Sequence, residues 1–177
     1  MLSLTLLRHA KAVPAVEAND AISDPEDVAR PLNERGQRQA LAVRQAIAQE
    51  PPPDLVYCSL ALRTRQTLEI VAADWPGTLP IRDEAALYLA SPATILRLIG
   101  ATAPDVGRLW VVGHNPGLAT LALMLSSGKR TLPPQTGDNN RFGEGLPTAA
   151  RACFEFEGEG WNALTRLPLR RAFRVLA

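Results

Sequence analysis

Cysteine and histidine are both scarce in this chain of 177 residues: Cys58 and Cys153 are its only cysteines, His9 and His114 its only histidines. Two cysteines make neither a disulfide framework nor a zinc pattern. Two histidines without a clustered set of carboxylates make a poor metal site. An excess of one charge is lacking too, since 19 basic residues stand against 18 acidic ones for a formal net charge of +1. A nucleic-acid-binding domain would want a strongly basic surface or stripe, and nothing in this balance suggests one, or a membrane surface. No apolar run approaches membrane-spanning length. No secretory leader is visible, because Met1 leads straight into a strand-like segment and Lys11 follows too soon. These absences point to a reducing, cytoplasmic setting. What is present is ordinary globular material: 46% hydrophobic and 21% charged residues exclude a disordered chain. The length fits one domain, residues 1–177, with a full core.

Strand signals fall at about residues 2–7, 54–58, 79–82, 108–113 and 150–157, with helical patterns between them. Asn33 is placed to cap a helix whose Ala40, Val43 and Ile47 share one face. Residues 61–75 carry good helix formers after Ser59. Ser91-Pro92 reads as a cap followed by proline at the first helical position, and Asn115-Pro116 repeats the device before Leu118, Leu121, Ala122 and Leu125. Strands alternating with helices imply a three-layer α/β/α sandwich with a largely parallel sheet. Residues 11–30 and 126–147 read as long loops, rich in proline, glycine, asparagine and aspartate. Loops of that length are uncommon and often functional.

The two histidines occupy matching places. Leu4-Thr5-Leu6-Leu7 is an apolar strand that ends in Arg8-His9, and Leu109-Trp110-Val111-Val112-Gly113 is another that ends in His114. Ligands of open α/β sheets bind outside the carboxyl ends of the strands. An arginine there offers a planar fork of donors to phosphate oxygens, and a histidine is a competent nucleophile near neutral pH. A third strand ends at Cys58-Ser59, and Arg63, just inside the following helix, can reach back over that end; Arg65 reads as a solvated helix-surface residue. Ser59 has two readings, a residue that orients the phosphate pocket or a helix cap, and Lys11 lies either near the phosphate or in solvent. Asn115 reads as a cap rather than a ligand.

Five motifs in order carry a resemblance over nearly the whole chain: Arg8-His9; Arg30-Pro31-Leu32 with Gly36; Ser59, Arg63, Gln66 and Thr67; Leu87-Tyr88 with Ala90; and Gly113-His114-Asn115-Pro116-Gly117. Pro147-Thr148 and Trp161 complete it. The pattern resembles the histidine phosphatase superfamily, with its phosphoglycerate mutase-like fold, and within it the short SixA-like phosphohistidine phosphatases. The resemblance implies that His9 attacks phosphorus and becomes a phosphohistidine. Arg8 and Arg63 would clamp the equatorial oxygens while His114 adds a donor as charge develops. Phosphoryl transfer needs mainly positioning and charge stabilisation, so such a cluster suffices without metal or cofactor.

The chain departs from larger relatives, which protonate the leaving oxygen with a glutamate. Leu89 stands where many of them carry an acid. Asp83 and Glu84 follow a strand and are the candidate donors, against the reading that both are solvated carboxylates. A donor-poor site suits a leaving imidazole, whose conjugate acid titrates near pH ~6.5, better than a leaving alkoxide. The implied partner is a phosphohistidine-bearing protein. The alternatives are a small phosphate monoester, over which Lys129, Arg130 and Arg141 of the second long loop could close, or a phospho-ligand-binding module without turnover. A cysteine-dependent tyrosine phosphatase needs five residues between cysteine and arginine; Cys58 is followed by Arg63 after four and by Arg65 after six.

Overall fold

The first apolar run forms β1 (Leu2–Arg8), and both of its faces are covered. The structure, a computed structural model, describes residues 1–14, 25–127, 145–157, 160–165 and 171–176. The remaining strands are β2 (Leu55–Ser59), β3 (Ile81–Glu84), β4 (Arg108–Gly113), β5 (Arg151–Phe156) and β6 (Arg171–Leu176). They form one sheet in the order β3-β2-β4-β1-β5-β6. The β3-β2, β2-β4 and β4-β1 pairs are parallel, and β5 runs antiparallel to both β1 and β6.

The helices are a single turn α1 (Pro25–Val28), α2 (Glu34–Ala46), α3 (Leu62–Val71), α4 (Pro92–Gly100) and α5 (Gly117–Ser127). Strand alternation divides the core in two. Leu4, Leu6, Leu55, Tyr57, Leu109 and Val111 pack with Ile95 and Ile99 of α4 and Leu118 and Leu121 of α5. The intervening Leu7, Val56, Cys58, Trp110 and Val112 pack with Ala40 of α2 and Leu68 and Val71 of α3. A strand buried on both faces is continuously apolar, and this is the three-layer sandwich.

Local chemistry sets the helix starts. The Asn33 side chain accepts from the Gly36 N–H at 2.9 Å, and Ser91 accepts from the Thr94 N–H at 3.1 Å with Pro92 behind it. Ser59 caps nothing, because the residue before α3 is Ala61, without a side-chain cap bond. Asn115 likewise turns away from its helix: its Nδ2 donates to the Leu146 carbonyl at 2.9 Å. Two motif glycines are fixed by close backbone approach. A β-carbon on Gly36 would stand 2.0 Å from the Lys11 carbonyl oxygen, and one on Gly117 would stand 1.9 Å from that of Ala90.

Three elements differ from the sequence reading. The helix over 61–75 ends at Val71, and turns lead to Trp75, whose ring packs edge-on against Trp110 before Pro76. The third strand lies two residues later than 79–82, at a sheet edge where exposed side chains leave little alternation to read. β6 is an edge strand the sequence reading did not contain. Within the first long loop, Ala12 bridges Leu32 and α1 forms. Most of the second, including Lys129, Arg130 and Arg141, lies outside the described residues.

Candidate active site

Sheet register brings the histidines together. Leu7 pairs with Val112 and Arg8 with Gly113 across β1 and β4, so the next residue on each strand is a histidine. The His9 N–H donates to the Gly113 carbonyl at 3.1 Å, and the two imidazole centroids are 5.1 Å apart. On the other side of β4, Cys58 pairs with Val112, which puts Ser59 level with Gly113. Three adjacent parallel strands therefore end at one place, on His9, His114 and Ser59.

The state of His9 follows from its neighbours. Its Nδ1 lies 2.8 Å from the Ala10 carbonyl oxygen. A carbonyl only accepts, so Nδ1 carries the hydrogen and Nε2 keeps its lone pair. Burial pushes the imidazole down to about 4, and the charges of Arg63, Arg8 and Arg30 act in the same direction against the bond to Ala10. The ring is neutral at pH 7, as a nucleophile must be.

His114 is buried, with Nε2 2.8 Å from the fully buried Ser59 Oγ and Nδ1 3.5 Å from Arg63 Nη2. Burial, then His9 and Arg63, push it down to about 3. Arginine has no acceptor, so the Nδ1 edge of His114 receives from Arg63 and Nε2–H donates to Ser59. Ser59 therefore orients His114 and does not cap α3.

Arg8 and Arg63 complete the group. Arg8 Nη1 donates to the Leu146 carbonyl at 2.5 Å. Arg63 is 2% exposed, and its guanidinium lies 5.8 Å from the centre of the Tyr88 ring. The Nε atoms of both arginines are buried without a partner. An unsatisfied buried donor costs about 1–3 kcal/mol, more when charged.

Asp27 was not singled out in the sequence. Its carbonyl accepts from Arg63 Nη1 at 2.6 Å, and its Oδ2 accepts from Arg63 Nη2 at 2.9 Å and from the Tyr88 hydroxyl. Arg30 donates through Nε to Oδ1 at 2.7 Å. Burial alone would raise this carboxyl, but the bonds from Tyr88 and Arg30 and the Arg63 charge outweigh it and bring it down to about 2. The only hint in sequence was its place three residues before Arg30.

The candidate donors are placed differently from each other. Asp83 Oδ2 accepts from Arg65 Nη2 at 2.5 Å, and both side chains are exposed. Glu84 pairs in register with Ser59, at the strand end nearest the histidines. Lys11 is exposed, and its backbone N–H donates to Gln39. Cys58 is fully buried, and burial first, then Asp83, pushes its thiol up to about 12, far from a thiolate nucleophile. Among the described residues no cluster of three or more histidine, cysteine, aspartate or glutamate side chains comes together as a metal ion needs.

Residues 4–88 match the model of the histidine phosphatase superfamily (branch 1). An uncharacterised Mycobacterium tuberculosis protein is 36% identical over 153 residues, 86% of this chain and 88% of that one. A 5''-phosphoribostamycin phosphatase from Niallia circulans is 30% identical over 95 residues, 54% of this chain and 45% of that one. The candidate phosphohistidine phosphatase SixA of Nakamurella multipartitia superposes with a TM-score of 0.74 at 27% identity, over 99% of this chain and 95% of that one. The matched segment carries Arg8, His9 and Arg63, and the shared architecture sets His114 beside them: this chain belongs to the histidine phosphatase superfamily.

Proposed function

We propose that the protein hydrolyses phosphohistidine through a covalent phosphohistidine on His9, without a metal ion. The observation that carries this reading is the state of His9: neutral, with Nδ1–H held by the Ala10 carbonyl and Nε2 free, beside Arg8, Arg63 and His114. Nε2 attacks phosphorus, and the bond to the leaving group breaks with its electron pair. Water then attacks the phosphoryl group on His9, the P–N bond breaks, and inorganic phosphate leaves. Arg8 and Arg63 bind the non-bridging oxygens through their charged guanidinium groups. When phosphate binds, His114 serves them through Nδ1: the Ser59 hydroxyl turns to donate to Nε2, and the ring hydrogen moves from Nε2 to Nδ1 in place of the contact from Arg63.

The leaving group decides the substrate class. Asp83 is paired with Arg65, and Asp27, at about 2, holds no proton to give. That leaves Glu84 as the candidate acid nearest the strand ends. A site with so weak a provision for protonation favours an imidazole over an alkoxide. The similarity to 5''-phosphoribostamycin phosphatase, which covers about half of this chain, favours a second reading, a phosphatase of small phosphate monoesters. Hydrolysis of a phosphohistidine protein, phosphoserine, aryl phosphates and sugar phosphates separates the two. The first reading expects phosphohistidine to exceed phosphoserine by roughly 100-fold or more. A sugar phosphate turned over faster than phosphohistidine would refute it.

A further inference from the structure

Three arginines act on the histidines by their charge: Arg8 and Arg63 on both, and Arg30 on His9. Asp27 is a carboxylate that bonds to two of them, Arg30 and Arg63. Asp27 belongs to α1, a single helical turn, yet it contacts Arg63 twice, once by its backbone carbonyl and once by its carboxylate. Both bonds engage the terminal nitrogens. The guanidinium is thus gripped end-on, and its Nε–H is left as an unpartnered buried donor. A planar fork gripped at one end can turn neither about its own plane nor along it.

Tyr88 completes the grip from another element. Its hydroxyl donates to the same Asp27 oxygen that Arg63 uses, and its ring lies 5.8 Å from the Arg63 guanidinium and edge-on to His114 at 5.4 Å. The residue beside it has a strained backbone. Leu89, the next residue, is at φ +46° and 41% exposed. A non-glycine residue in that region costs on the order of 1 kcal/mol or more and persists where its surroundings demand it.

We infer that Asp27 and Tyr88 are positioning residues that hold the Arg63 guanidinium end-on beside His114, where the transferring phosphoryl group is proposed to bind. This rests on the proposed phosphate role of Arg63. Neither residue touches the reacting atoms; both act through the guanidinium. Two other roles for the same contacts are distinguishable. In one, Asp27 merely anchors α1. In the other, it competes with phosphate for Arg63, and removing it would strengthen anion binding.

The test is a double-mutant cycle with two readouts, hydrolysis of para-nitrophenyl phosphate and orthovanadate binding by calorimetry. D27A should lower kcat/KM on the order of 100-fold, the usual effect of letting a catalytic group drift by about an ångström, and should weaken vanadate binding at least tenfold. D27N, which keeps an acceptor oxygen facing Arg63, should recover most of both. Y88F keeps the ring and loses the bond to Asp27, and should show a smaller loss of the same kind. On an R63A background, D27A should change neither readout further, because non-additivity is the signature of one residue acting through another. An equal loss on that background would reveal an anchoring role and overturn the inference, as would a D27A enzyme indistinguishable from wild type. Tighter vanadate binding in D27A or D27N would establish competition instead. If R63A alone leaves both readouts untouched, the phosphate role of Arg63 has failed, and that result is seen without any Asp27 variant.

Discussion

Acidification from pH 7 to pH 5 should destabilise the fold through two residues while leaving the nucleophile ready. His9 and His114 are pushed from near 6.5 to about 4 and about 3 in the folded protein. The unfolded chain therefore binds protons that the folded chain refuses over this interval, and stability falls as pH falls. Linkage gives about 2 kcal/mol lost per histidine between pH 7 and pH 5, or up to ~4 kcal/mol for the pair. The two rings lie 5.1 Å apart, close enough to titrate together, so the loss belongs to the pair. That is a large fraction of a typical total of roughly 5–15 kcal/mol. Asp27 works in a lower window: held at about 2, it adds stability above its ordinary value of 3.8 that is lost only as pH falls through 2. Urea unfolding at pH 7 and pH 5 measures the difference, and an H9A/H114A variant supplies the reference slope. Meanwhile kcat/KM for an aryl phosphate, corrected for the substrate's own ionisation, should stay level to about pH 5 and fall as Nε2 of His9 takes up its proton. A wild-type stability slope no steeper than that of the double variant would refute the buried neutral pair. An acid limb centred near 6.5 would refute the depressed nucleophile.

Labelled substrate should leave an acid-labile, base-stable phosphoenzyme, and H9A should lose both label and turnover; turnover at the wild-type rate in H9A would remove His9 from the mechanism. S59A should lower kcat roughly tenfold with little effect on KM, because Ser59 fixes the ring of His114 and its loss frees the tautomer; an unchanged kcat would make that bond incidental. D83N should be nearly neutral on every substrate, since Asp83 is engaged with Arg65 in solvent. E84Q should spare phosphohistidine and aryl esters, and a selective loss of alkyl phosphate hydrolysis in E84Q would identify Glu84 as the acid.

The strand ends were legible because their signal is local. An apolar run that stops on Arg8-His9 or on Gly113-His114 states its own position, and β1 and β4 need no distant partner to be read. Arg63 was legible for the same reason, since it follows β2 by one turn of α3. What sequence alone could not show depends on side chains meeting across the fold. Asp27 lies in a segment read as loop, 36 positions from the arginine it grips. Tyr88 entered only as a motif letter, although its hydroxyl and ring touch Asp27, Arg63 and His114. Ser59 kept two readings until the β2-β4 register placed it level with Gly113. The edge strand β3 pairs on one side only and its side chains are largely exposed, so burial writes a weaker pattern into it.

The same distinction explains why family membership and substrate are written in different parts of the molecule. The groups proposed to meet the phosphoryl oxygens come from strand ends and the first turn of α3, where backbone register fixes them whatever the substrate. The groups proposed to meet the leaving group come from other elements. In this chain those include β3, which carries Asp83 and Glu84, and the turn holding the strained Leu89. Leu89 has no proton to offer, and Asp83 is neutralised by Arg65. Transfer from a nitrogen that leaves readily needs little from that side of the pocket, whereas transfer from an alkoxide needs a positioned acid. Conversion toward alkyl phosphates should therefore require changes at Leu89 or around Glu84, with the His9, Arg8, Arg63 and His114 cluster left as it is. A variant such as L89E that gains alkyl phosphatase activity while still forming the His9 phosphoenzyme would place specificity on that turn. One that gains nothing on any alkyl ester would place it elsewhere.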